Sequence, residues 1–252
     1  MKNLIFSATL LAGFLLVSCT KEETKKTNNN TATEANISIA FNNTVSGVAI
    51  NTDNNNYTNA LGNKYTVDLL KYYVTNIVLE KENGALFYAK NYNLIDLNET
   101  LQNTISLKNV PTGEYTKLRF ILGVDSARNK SGLQDGYLDP SYGMIWTWNT
   151  GYIFFKHEGN FTNSANQVKP LRFHLGTEVA RGFVEITLPK VNVNGINSKL
   201  TIDFDLNKAY SSTSNIDFNV DNDRQSLEEV DRFWISNFKS NLEKSFSFKN
   251  IE

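Results

Sequence analysis

Apolar and polar positions alternate along much of the chain with the spacing of β-strands. Residues 37–41, 183–188 and 200–206 each place an apolar side chain at every second position, which is typical of strands buried on one face. The run Tyr115–Val124 is rich in apolar residues and reads as a more deeply buried strand. About nine or ten such runs, with Gly- and Asn-rich connections between them, predict a mainly β fold, an antiparallel β-sandwich with a C-terminal helix.

One hairpin has a clear local signal. The run Tyr72–Leu79 leads into Asn83-Gly84, and Leu86–Tyr88 follows as a return strand. Asn-Gly between two such runs favours a tight hairpin turn because both residues tolerate a positive φ. Two shorter strands are predicted after it, over Tyr92–Leu97 and Thr104–Leu107.

The C-terminal residues have a helical period instead. Ser226–Glu229 fits a capping box, in which the Ser side chain accepts a hydrogen bond from the first turn and the Glu reaches back. Five apolar residues then follow at spacings of three and four: Leu227, Val230, Trp234, Phe238 and Leu242. This stripe predicts a helix over about residues 226–243 that packs on the sandwich.

The N-terminus reads as an export signal. A basic start precedes the apolar run Leu4–Val17, which is too short to span a bilayer. The residues that end this run resemble a bacterial lipobox, so residues 1–18 are predicted to be removed and Cys19 to be lipidated. Two or three acyl chains would anchor the protein stably in a lipid membrane. Lys21-Glu22-Glu23 resembles a surface-export signal, which predicts an outer-membrane lipoprotein that is extracytoplasmic and surface-exposed.

These signals divide the chain into four parts. The signal peptide at 1–18 is followed by the lipidated Cys and a polar, flexible tether at 19–36. A β-sandwich domain is expected at 37–210, and a C-terminal extension with the helix at 211–252.

Composition narrows the range of functions. With 25 Lys and Arg against 26 Asp and Glu, the chain lacks the basic excess that a nucleic-acid grip requires. Its single Cys excludes intramolecular disulfides, zinc ribbons and C-x-x-C redox chemistry, and its two His leave little material for an all-imidazole metal site. No hydrolase, nucleotide or zinc-protease motif is present, so the sequence predicts a binding protein or a substrate rather than an enzyme.

The most distinctive stretch contains two indoles. Met144, Trp146 and Trp148 would point to the same face of an extended segment. Aromatic packing in the core is one interpretation of this pattern. A second is a stacking platform formed by Trp146, Trp148 and Tyr152, which would make the protein a surface module for glycans or an outer-membrane partner.

The order of several short elements carries a family resemblance. They are Tyr72–Ile77, Gly123-Val124-Asp125, Leu138-Asp139-Pro140, Gly143–Tyr152 and His174-Leu175-Gly176. Over residues 36–210 this order resembles the MbnP-like copper-binding family, and Met-x-Trp-x-Trp-x-x-Gly-Tyr is its most specific part. The resemblance implies a secreted or lipid-anchored β-sandwich in which a di-haem cytochrome c peroxidase-like partner converts one Trp to kynurenine. It also implies that Trp146 or Trp148 is modified and that His174 is a copper ligand.

This chain departs from methanotroph-type members at three places. It has Thr75 and the triplet 128–130 where they carry His, and it has no Cys after His174. The other imidazole, His157, has no counterpart in the resemblance and is a weaker metal candidate. For His174, in a predicted strand between Phe173 and Leu175, the alternative is a hydrogen-bonded structural role.

An acidic loop suggests a separate calcium site. Its candidate ligands are Asp125, Asn129, Asp135 and Asp139, whose hard oxygens suit calcium although their spacing is not that of an EF-hand. The alternative is a turn-rich connection whose carboxylates cap backbone amides.

Overall fold

A computed structural model describes residues 33–53, 56–147, 149, 151–194, 198–225 and 228–252. The signal segment, Cys19 and most of the tether lie outside the described residues, as do Trp148, Ser226 and Leu227. None of the helices that the structure describes is both long and apolar enough to cross a bilayer.

The described residues form fourteen strands and three α-helices. The strands are β1 (Glu34–Val45), β2 (Val48–Ala49), β3 (Tyr57–Thr58), β4 (Lys64–Tyr65), β5 (Leu69–Lys81), β6 (Leu86–Asp96), β7 (Thr104–Pro111), β8 (Gly113–Leu122), β9 (Ile153–Thr162), β10 (Val168–Gly176), β11 (Gly182–Val193), β12 (Ser198–Asp205), β13 (Asp223–Gln225) and β14 (Phe246–Ile251). The helices are α1 (Ser126–Asn129), α2 (Leu206–Ala209) and α3 (Glu228–Glu243). The count exceeds the prediction because β2, β3, β4 and β13 are only two or three residues long.

Two sheets face each other, which confirms the sandwich. The smaller sheet has the order β14-β12-β1-β2, with β7 also on β1, and the larger has the order β11-β8-β5-β9-β10-β13, with β6 on β5. Aromatic rings from the two sheets pack against each other. The ring centroids of Phe41 and Phe120 are 5.7 Å apart, and those of Tyr72 and Phe204 are 5.0 Å apart. Most pairs are antiparallel as predicted, but β1–β12 and β10–β13 are parallel, which local patterns could not show.

The predicted hairpin is confirmed, with one difference. The strands β5 and β6 pair from Glu80↔Leu86 to Lys71↔Asp96, so the residues predicted as a separate strand at Tyr92–Leu97 continue β6. A β-bulge makes this continuation possible. At the bulge Asn76 has a φ of 52°, and the backbone N–H of Ile77 donates to Asn91 Oδ1 at 3.2 Å.

The larger sheet forks along β5. Residues 69–72 pair with β9 and residues 74–81 pair with β8, while β6 occupies the other side of the same strand. The chain leaves the fork at Gly123, whose N–H donates to the Tyr73 carbonyl, and returns to it at Ile153. Gly123 has a φ of 123°, and a Cβ there would lie 2.6 Å from the Phe154 ring. The fork therefore fixes both ends of the segment that carries the predicted site.

The C-terminal helix is confirmed and packs on the larger sheet. The ring centroids of Phe238 and Trp234 lie 5.3 Å and 5.8 Å from the ring centroid of Phe173 on β10. The strand before the helix, β13, pairs with β10 of the larger sheet. The strand after the helix, β14, pairs with β12 of the smaller sheet. Residues after 210 thus contribute a strand to each sheet of the sandwich.

Candidate functional site

The segment that carries Trp146 doubles back on itself. Ile145 and Tyr152 form an isolated antiparallel bridge, and the N–H of Trp146 donates to the Gly151 carbonyl at 3.2 Å. This differs from the predicted extended segment, because these pairings require the chain to reverse between Trp146 and Gly151. Met144 and Trp146 are both buried.

Trp146 packs against His174 beside a glycine. The ring centroids of Trp146 and His174 are 6.3 Å apart with an interplanar angle of 54°. A Cβ on Gly176 would lie 2.9 Å from Trp146 Nε1 and 2.2 Å from the Tyr152 carbonyl oxygen. Only a glycine at 176 therefore leaves room for the indole and the returning loop. Trp146, one of the two indoles that the resemblance implies, therefore lies beside His174.

A carboxylate orients His174. His174 Nε2 lies 2.8 Å from Glu158 Oε1, and Lys156 Nζ lies 3.4 Å from the same oxygen. Burial lowers the pKa of His174, although the hydrogen bond to Glu158 opposes this effect. Burial would raise the pKa of Glu158, but Lys156 and His174 outweigh it and hold the pKa below its usual value. At neutral pH, a neutral imidazole that donates from Nε2 would keep the Nδ1 lone pair for a metal.

His157 lies on the other face of the sheet. It pairs with Phe173 across β9 and β10, whereas His174 pairs with Lys156, and adjacent side chains on a strand point to opposite faces. Its ring is buried, and Nδ1 lies 2.6 Å from the Tyr210 hydroxyl. Nε2 makes no well-formed hydrogen bond among the described residues. Burial lowers its pKa to about 4, with a small opposing effect from the backbone of Thr66. His157 is therefore a buried side chain hydrogen-bonded to Tyr210.

Three of the four candidate calcium ligands accept hydrogen bonds from backbone N–H groups through their side-chain oxygens. Asp125 accepts from the Arg128 N–H at 3.2 Å and begins α1, and Asp139 accepts from the Ser141 N–H at 2.8 Å. Asn129 Oδ1 accepts from the Tyr152 N–H at 2.8 Å, whereas Asp135 precedes a 3-10 turn without capping it. Within the described ranges, no three His, Cys, Asp or Glu side chains are grouped to hold a metal ion. Calcium binding stays a prediction without a preformed cluster.

The predicted stacking platform is not exposed. Trp146 is 6% and Tyr152 1% accessible, and the Tyr152 hydroxyl donates to the Leu138 carbonyl at 2.9 Å. Both rings are packed under the loop, so neither presents a face to a glycan. Trp148, the third member, lies outside the described residues. The platform interpretation is therefore wrong for Trp146 and Tyr152.

The donor set fits copper only in part. His174 offers an imidazole nitrogen, and Glu158 offers a carboxylate that its sequence position did not single out. Thr75, which the resemblance places opposite a His of methanotroph-type members, donates its hydroxyl to the Gly123 carbonyl at 2.8 Å. An unmodified indole is not a metal donor, so Trp146 as it stands adds no donor to His174 and Glu158.

Comparison with known proteins places the chain in a family. The sequence model of the MbnP family matches residues 34–229, which is most of the chain. Among solved structures, MbnP from Methylosinus trichosporium is similar, with 13% identity, a TM-score of 0.49, and coverage of 72% of this chain and 78% of that chain. No curated protein sequence matches the chain. On the family match over residues 34–229, this chain belongs to the MbnP family.

Proposed function

We propose that this protein is a lipid-anchored, extracytoplasmic copper-binding member of the MbnP family, in which Trp146 is the residue converted to kynurenine. The observation that carries the proposal is the packing of the Trp146 ring beside the His174 ring, with 6.3 Å between the ring centroids. It supports Trp146 because a modified side chain at this position would lie beside the imidazole that remains as a ligand. Copper would be bound and handled, and the protein would act as a binder rather than an enzyme.

The donors would come from a modified residue and from His174. Conversion of Trp to kynurenine opens the five-membered ring of the indole, removes one carbon and adds one oxygen, and it leaves an aryl amine and a ketone. Water supplies the oxygen, the carbon departs as formic acid, and four protons and four electrons are released, the electrons passing to an external oxidant, for which we propose a di-haem cytochrome c peroxidase-like partner. His174 would supply an imidazole, which suits copper. Glu158 would orient that imidazole through its other ring nitrogen.

Burial of Trp146 is consistent with a selective reaction. At 6% exposure the indole is screened from random oxidants in solution, whereas Phe233 and Tyr88 are far more exposed. A partner that oxidises the residue by electron transfer would not need direct access to the ring. The Gly176 contact would hold the ring in one position during that reaction.

Copper retention by variants tests this assignment. Protein is isolated from the native host, dialysed, and assayed for copper by mass spectrometry. We expect the unaltered protein and Trp148→Phe to retain copper, and Trp146→Phe and His174→Gln to lose it. Glu158→Gln should weaken copper binding by about tenfold or more, because a neutral amide oxygen replaces the charged carboxylate that orients the imidazole and raises its basicity.

Thermal unfolding of each variant provides the control, since a folded variant that loses copper has lost a ligand rather than the sandwich. Full copper retention by a folded Trp146→Phe would contradict the proposal. Loss of copper from Trp148→Phe alone would assign the modification to the other indole.

Membrane fractionation tests the anchor. Cys19→Ser removes the thioether on which acyl chains would be attached, and we expect the protein to move from the membrane fraction to the soluble fraction. Ser18→Ala, a conservative change at the end of the predicted signal peptide, keeps the Cys19 thiol and should leave the protein in the membrane. Membrane retention of Cys19→Ser would show that another segment holds the protein there.

A further inference from the structure

The backbone is strained at Thr177, one residue beyond the glycine that contacts Trp146. Thr177 has a φ of 114° and a ψ of 162°, a combination that is essentially restricted to glycine. The five other described non-glycine residues with positive φ have values between 44° and 59°, close to the ordinary left-handed region. Because Thr is branched at Cβ, a positive φ is especially unfavourable for it. The fold therefore keeps an unsuitable residue in a glycine conformation at this one place.

The side chain of Thr177 does not offset this strain. Its Oγ1 is buried and has no hydrogen-bond partner among the described residues. Thr177 precedes the 3-10 turn Glu178–Ala180, but its hydroxyl does not cap that turn. A buried hydroxyl without a partner is itself destabilising. Two unfavourable features thus coincide at one residue, and a glycine would remove both of them.

Contacts on both sides hold Thr177 in its conformation. On one side, Gly176 pairs with Ile153 of β9 directly after a register shift in β10. On the other side, Glu178 accepts a hydrogen bond from the Ser126 hydroxyl of α1 at 2.6 Å. Strain of this kind persists only where the surrounding structure determines the conformation, and it is concentrated at functional sites. The two anchored neighbours therefore impose the strain on the residue between them.

We infer that Thr177 is a positioning residue that fixes the indole of Trp146 beside His174. Its conformation sets the path of Gly176, which lies against the indole, since a Cβ on Gly176 would be 2.9 Å from Trp146 Nε1. If residue 177 relaxed, the Gly176 backbone would move, and the indole would no longer be held in one orientation 6.3 Å from the imidazole. The consequence for copper rests on the proposed function, whereas the position of the indole does not.

Proton NMR of the His174 imidazole tests the positioning in copper-free protein with an unmodified Trp146. The chain has two His, so His174→Gln assigns the signals, and Trp146→Phe shows where the His174 signal lies without the indole ring current. We expect Thr177→Gly to move the His174 signal toward that position. We also expect it to raise the unfolding temperature by about 2–4 °C, because the relieved strain outweighs the added freedom of glycine in the unfolded chain.

Three further variants separate the strain from other effects. Thr177→Ser keeps the Cβ and the hydroxyl, and Thr177→Ala keeps the Cβ but lacks the hydroxyl, so both should leave the His174 signal in place. Asn166→Gly is the matched control, because Asn166 has a positive φ of 59° in the exposed turn between β9 and β10. It should change neither the His174 signal nor copper binding.

Copper affinity, measured on protein from the native host, extends the test to the proposed function. We expect Thr177→Gly to bind copper about tenfold more weakly although it unfolds at a higher temperature, whereas a purely structural role would lower both together. An unchanged His174 signal, a lower unfolding temperature or an unchanged copper affinity in Thr177→Gly would each overturn the inference. If the unaltered protein binds no copper but the His174 signal moves as expected, the copper proposal fails and the positioning role stands.

Discussion

Replacing Asn241 with alanine is expected to lower the free energy of unfolding by about 4 kcal/mol, because four hydrogen bonds between its buried side chain and the backbone would be lost. The Asn241 side chain is fully buried. Its Oδ1 accepts from the N–H groups of Thr213 and Ser214 at 2.7 Å and 3.0 Å, and its Nδ2 donates to the carbonyls of Ala209 and Ser214 at 3.1 Å and 2.7 Å. One amide thus joins α3 to the turn after α2.

Urea unfolding of the two proteins measures this effect. Asn250→Ala is the matched control, since Asn250 is exposed near the end of β14 and should change stability by less than about 0.5 kcal/mol. A loss below about 1 kcal/mol for Asn241→Ala would show that water or local rearrangement replaces these hydrogen bonds.

Acidification is expected to destabilise the fold between about pH 6.5 and pH 4 through His157. Its pKa is near the usual 6.5 in the unfolded chain and is lowered to about 4 in the folded protein. In this interval the unfolded state binds more protons, so stability is fully present above pH 6.5 and decreases as the pH falls to 4. A shift of this size corresponds to a loss on the order of 3 kcal/mol.

Unfolding free energies measured at intervals from pH 7.5 to pH 4 check this expectation. His174, whose pKa is also lowered, acts with the same sign, so His174→Gln should remove only part of the slope. His157→Gln should remove most of it. The carboxylates with lowered pKa values, such as Glu158 and Asp139, lose their contribution only below about pH 5, so the slope between pH 6.5 and pH 5 is due to histidine. A flat profile between pH 6.5 and pH 4 would contradict a buried neutral His157.

Sequence patterns predicted the parts of the fold that local periodicity determines. The alternation at 37–41 and 200–206 corresponds to β1 and β12, and the Asn83-Gly84 turn joins β5 to β6. The helical stripe identified α3 as well. In each case neighbouring residues along the chain determine the element, so it could be predicted without knowing which distant segments it contacts.

Contacts between distant segments could not be predicted in the same way. The fork of β5 and the parallel pairing of β1 with β12 depend on which strands meet in space. Glu158 reaches His174 only because the register pairs Lys156 with His174 and places Glu158 diagonally across. The buried role of Asn241 had a usable signal, since it lies three residues after Phe238 and so falls on the apolar face of the helix.

The motif singled out the segment but not its setting. The resemblance implied Trp146 or Trp148 together with His174, and the structure places the rings of Trp146 and His174 6.3 Å apart between centroids. Sequence could not show that the chain reverses between Trp146 and Gly151 and that both Trp146 and Tyr152 are buried. For that reason the stacking platform is wrong for these two residues.

The most direct test of the copper proposal is tandem mass spectrometry of the peptide spanning residues 144–152, taken from protein isolated from its native host. We expect the Trp146 side chain to have lost one carbon and gained one oxygen, and Trp148 to be unchanged. Fragment ions formed by cleavage of the peptide between Trp146 and Trp148 show which of the two carries the change. Two intact indoles, or the same change at Trp148 alone, would contradict the account.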